Sequence, residues 1–61
     1  MEKFACISQC NDSSFNVGVN DLIKDTESQY IIRWWRLNVI PMSSVLGTRF
    51  TIIIYGEGEK R

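Results

Sequence analysis

The segment richest in chemistry is Arg33-Trp34-Trp35-Arg36. Trp and Arg are the side chains most enriched at protein-binding hot spots, because each buries a large rigid surface and still keeps a polar handle. The same pair can serve nucleic acid, with an indole stacking on a base and a guanidinium meeting a phosphate. In an extended strand, alternation sets Arg33 and Trp35 on one face and Trp34 and Arg36 on the other. If one of these faces is the core, one Trp is buried and the other is shown to solvent beside an Arg.

Catalytic side chains are sparse. The 61 residues include no His, so there is no His-based triad and no imidazole metal ligand. Asp21, Asp25 and Glu27 are close in sequence, but their neighbours are Lys24 and polar side chains rather than an apolar pocket able to raise a carboxyl pKa for acid or base work. The four glycines match neither the dinucleotide nor the P-loop spacing. The sequence therefore predicts a protein that is not an enzyme and carries no cofactor.

Cys6 and Cys10 are four apart. On an extended strand their Cα atoms stand roughly 13 Å from each other, too far for a disulfide unless the chain reverses between them. Two reduced thiols acting as small hydrophobes are expected, and no metal site, since two Cys without His make half of a zinc ligand set. Asn11-Asp12-Ser13 matches a glycosylation acceptor in form only, the pattern being short and frequent by chance.

The elements that must position these residues read mostly as strands. Residues 3–9 form the first, ending at the turn-rich Asn11-Asp12-Ser13-Ser14. Phe15, Val17 and Val19 alternate with Asn16, Gly18 and Asn20, the period-2 pattern of a half-buried strand, which predicts a hairpin with the first. Residues 20–28 are polar apart from Leu22 and Ile23 and read as one or two helical turns or an ordered loop. Residues 29–40, dense in β-branched and aromatic side chains, read as a long third strand that must bend, carry a bulge or protrude. Pro41 and a loop over 42–47 follow, then a fourth strand over 48–55 with Phe50, Ile52 and Ile54 on its core face. The ending over 56–61 alternates Gly with charge and reads as a flexible tail.

The expected fold is thus mainly β: a small antiparallel sheet or partly open barrel of about four strands, with one short helical turn between two hairpins. The alternative is α+β, should residues 20–28 form a true helix. Residues 1–55 make one small domain. Seven basic residues balance seven acidic ones, so nothing in the net charge favours a general polyanion binder. No stretch approaches the roughly 20 apolar residues of a membrane helix, and the first residues lack the apolar core of a signal peptide, so a cytoplasmic protein without a membrane partner is expected.

A chain so short buries only about 60% of its unfolded surface and has no staple, which points to association with itself or a partner. The expected function is a non-enzymatic protein-interaction module, and a homodimer, binding through Arg33, Trp34, Trp35, Arg36, Ile53 and Tyr55 and through an open strand edge. Small neutral β proteins without catalytic residues are often inhibitors encoded by viruses or mobile elements that block a host protein such as an immune nuclease. The chain fits that type, with no single residue carrying the likeness. The alternative is a small single-stranded nucleic-acid-binding protein, with Trp34 or Trp35 stacking and Arg33, Arg36, Arg49, Lys60 and Arg61 on phosphates.

Overall fold

In the computed structural model, which describes residues 1–61, the chain runs as strand β1 (Glu2–Asn11), a single 3-10 turn (Asp12–Ser14), helix α1 (Phe15–Gln29), strand β2 (Tyr30–Ser44) and strand β3 (Gly47–Lys60). The sheet is open and antiparallel in the order β1-β3-β2, and strands make up 64% of the residues. The protein is mainly β, with three strands in place of the expected four. The missing strand is the segment beginning at Phe15.

That segment is helical. Phe15, Val17 and Val19 fit a strand over five residues, but Phe15, Val19, Leu22, Ile23 and Thr26 follow the i, i+4, i+7, i+8, i+11 spacing of one helix face. These are the residues α1 turns inward, with Leu22 and Thr26 buried, whereas Val17 is left 61% exposed. Residues 20–28, expected as a turn or two, lie wholly inside this true helix. The Thr26 hydroxyl donates to the Leu22 carbonyl at 2.8 Å, so the one buried polar side chain is satisfied within its own helix.

The run Asn11 to Ser14 is a cap and not the turn of a hairpin. The Asn11 carboxamide oxygen accepts from the Ser14 backbone N–H at 3.0 Å, while the Asn11 N–H donates to the Ser14 hydroxyl at 3.4 Å, a reciprocal capping box. Asn, Asp and Ser suit both turns and helix starts for the same reason: a short side-chain oxygen within reach of a nearby N–H.

Pro41 does not end β2. It sits in the strand opposite Phe50, and pairing continues to Ser44 opposite Gly47, leaving a connection of only Val45 and Leu46. Pro is tolerated because β2 is an edge strand. Gly47 takes the one positive φ of the chain, +120°, just after the connection. The Ser44 hydroxyl ties the turn, accepting from the Leu46 N–H at 3.2 Å and donating to the Gly47 carbonyl at 3.1 Å.

The ending 56–61, expected as a tail, is mostly strand. Residues 56–60 complete β3 and pair with β2, the first three of them with β1 as well. Arg61 then donates from its backbone N–H to the Gln29 carbonyl at 2.9 Å and from Nε to the Glu27 carbonyl at 2.8 Å. A cation against the last carbonyls of α1 is the favourable sense of the helix dipole.

Alternation along β3 sets Phe50, Ile52, Ile54, Gly56 and Gly58 under the helix. Ile52 and Ile54 are fully buried and form the core with Phe4 of β1 and Leu22 of α1. The Phe4 and Tyr30 rings stack at 5.0 Å although β1 and β2 are not neighbours. They meet above the glycine end of β3, where no side chain stands between them.

Candidate functional site

The helix covers one face of the sheet, and no element covers the other. By register, that open face carries Lys3, Ala5 and Ile7 from β1, with Arg49, Thr51, Ile53, Tyr55, Glu57 and Glu59 from β3. From β2 it carries Ile31, Trp34, Arg36, Asn38, Ile40 and Met42. The result is a banded surface with an apolar middle, a basic residue, Arg49, toward the hairpin end, and Glu57 and Glu59 toward the other, where Lys3 stands across from Glu57. Ile7 is 67% exposed, and Trp34, Tyr55, Ile40 and Met42 are all exposed.

One irregularity decides which Trp takes part. Ile32 lies opposite Gly58 and Trp34 opposite Glu57, so Arg33 is an extra residue, a β-bulge. Ahead of it Tyr30 and Ile32 point to the helix side. Without the bulge Trp34 would follow them. The inserted residue reverses the parity: Trp35, Leu37 and Val39 continue the helix side, opposite Gly56, Ile54 and Ile52, and Trp34 turns to the open face.

The six residues singled out from the sequence therefore divide. Trp34, Arg36, Ile53 and Tyr55 share the open face. Arg36 lies over the Trp34 ring, its guanidinium carbon 5.7 Å from the centroid, a cation-π arrangement that holds both side chains against the sheet. Trp34 and Tyr55 flank a shallow groove of about 360 Å³ with Lys3 and Glu57 at its rim. Trp35 is on the other side, where it borders a second groove with Glu27, Tyr30, Arg33 and Arg61. The expectation that one Trp is core does not hold: Trp34 is 42% and Trp35 41% exposed. Trp35 stands on the edge strand β2, opposite Gly56 and outside the cluster that packs around the core.

Ile7, Ile40 and Met42 belong to the open face and escaped the sequence reading. Their membership follows only from register with Ile53 and Arg49 across the sheet, and no local pattern in β1 or β2 announces it. Val45 and Leu46, fully exposed at the hairpin tip, escaped too, because they replace the Gly and Asn that usually mark a two-residue connection.

Other candidate groups are dispersed. Cys6 and Cys10 are free thiols, half-buried on the helix side of β1 and packed against the core. Asp21, Asp25 and Glu27 are exposed on the flanks of α1, the first two beside Ile7 and Ser8 of β1 and the third toward β2, and Asp25 accepts from the Gln29 carboxamide at 3.3 Å. No three Cys, Asp or Glu side chains gather into a group able to hold a metal, and no helix is long and apolar enough to cross a membrane. Of the cations expected to track a nucleic-acid backbone, Arg36 and Arg49 are on the open face, Arg33 is at the bulge, and Arg61 is engaged with the end of α1.

Comparison with family models, with curated proteins and with solved structures finds no match for this chain.

Proposed function

We propose that the chain is a non-enzymatic protein-binding module whose contact surface is the open face of the sheet, bordered by the free edge of β2. The observation that carries this reading is the second layer the sheet lacks. Only 7 of 61 residues are buried, and the accessible surface is 4520 Å², against about 4,100 Å² for a compact monomer of this mass. Large apolar side chains left in water over one contiguous sheet face mark an interaction site. A flat face of this kind acts by occlusion, so a steric inhibitor of a larger protein is the activity it suits.

The edge adds to it. β2 has no charge from Leu37 to Ser44 and is unpaired on its outer side, which leaves main-chain groups able to take a further strand. The nucleic-acid reading is weaker, because Lys3, Arg36 and Arg49 share the face with Glu57 and Glu59 and the remaining cations lie elsewhere, whereas backbone tracking calls for a continuous basic groove.

A photo-reactive amino acid in place of Tyr55 tests the reading in the producing cell, with the same group in place of Lys24 on the outer side of the helix as reference. Discrete protein adducts are expected from position 55 and not from position 24. No adduct at position 55 beyond those at position 24 would mean that the face stays wet and is not a contact surface.

A further inference from the structure

Resting on that reading, we infer that the first occupant of the open face is a second copy of this chain, laid face to face with its strands running in the opposite sense. Two observations select this partner and this orientation: the size of the face and the placement of its charges.

Three strands about 4.8 Å apart, over the eleven residues from Arg49 to Glu59, present on the order of 500 Å² of projected sheet, and more in accessible area because side chains stand out from it. A face-to-face pair then buries about 1,200 Å² in total, the lower end of stable interfaces. A helix or a single strand laid on the same face would leave much of it open. Another three-stranded face of equal length matches it edge to edge, and the chain itself supplies one, at the roughly 10 Å spacing of packed sheets.

The charges fix the symmetry axis. A closed pair of identical faces is related by a two-fold axis lying between the sheets, along the strands or across them. An axis along the strands sets Arg49 over Arg49 and the acidic end over itself. An axis across the strands, passing between the Ile53 and Tyr55 levels, sets Arg49 of each copy over Glu59 of the other. The same operation lays Ile53 over Tyr55 and Ile40 over Trp34, a branched aliphatic against a ring in each case. It also puts Arg36 over Asn38 and Lys3 over Gln9, so no two like charges meet. The dimer is a sandwich of two sheets with a helix on each outer side, and its β2 edges and hairpin tips remain free for a foreign protein.

Charge exchange tests it. Arg49→Glu and Glu59→Arg alter exposed side chains at opposite ends of β3 and should leave the far-UV circular dichroism unchanged. In a homodimer of either variant both contacts become repulsive, and self-association measured by sedimentation equilibrium should weaken about tenfold. In an equimolar mixture of the two variants both contacts are attractive again, so a mixed dimer should form with a dissociation constant within roughly twofold of the native one. A mixture that associates no better than either variant alone would overturn the arrangement. A native chain that stays monomeric to several hundred micromolar would remove the second copy altogether. If foreign adducts still form at position 55 in that case, the open face remains a contact surface; if none form, both readings fall.

Discussion

Gly56→Ala should unfold the isolated chain or cost it about 3 kcal/mol in urea denaturation, more than most small additions to a packed core. A Cβ at this position would overlap the Trp34 carbonyl oxygen and stand 2.9 Å from the Trp35 Cα, so the obstacle is the backbone of β2 and cannot swing aside. The close approach falls beside the Arg33 bulge, on the stretch of β2 from Ile31 to Trp35. Gly58 is in the same position, its added Cβ overlapping the Ile31 carbonyl oxygen. A loss below about 1 kcal/mol for Gly56→Ala would show that β2 does not pass where the register puts it.

Ile52→Ala should cost about 2 to 5 kcal/mol, since the side chain is fully buried between α1 and both neighbouring strands and the cavity has no spare atoms to fill it. In a domain whose whole stability is of the order of 5 kcal/mol, that is enough to abolish a cooperative melt. The next residue is the control. Ile53 faces away from the helix, so Ile53→Ala, compared in dilute solution where the second copy is absent, should cost less than half as much. Equal losses at the two positions would mean that the sheet is covered on both sides within one chain.

How much of this was legible depended on whether the deciding signal was local. The alternation of Phe50, Ile52 and Ile54 is complete within β3 and marks the helix-side face directly, although only Ile52 and Ile54 are core and Phe50 is half-buried beside Phe15. The segment after Asn11 was ambiguous, because three apolar residues at every second position satisfy a strand until Leu22, Ile23 and Thr26 are counted with them, and only a window of a dozen residues separates the two periods. A capping box looks like a turn for the same reason, being made from the residues that make turns. Gly56 and Gly58 read as a loose tail because their role is to let β2 pass close by, a requirement set by another strand.

The candidate site was half legible. The residue types of Arg33 to Arg36 draw attention to one part of β2, and strict alternation puts Trp34 with Arg36, as the register has them. Which of the two pairs faces the open side was decided by a one-residue bulge, and nothing in the residues around Arg33 demands the insertion. Ile7, Ile40 and Met42 became visible only when register joined three strands into one surface.

The most direct measurement is collisional quenching of Trp34 by acrylamide as a function of protein concentration. It is made in Trp35→Phe, which leaves one indole and alters only the helix side of β2. As the weight-average mass climbs from 7.1 kDa toward twice that value, the Stern–Volmer slope should fall severalfold, because a second face closes over the indole. A slope that stays constant while the mass doubles would contradict the account, since the copies would then meet through some other surface and leave Trp34 in water.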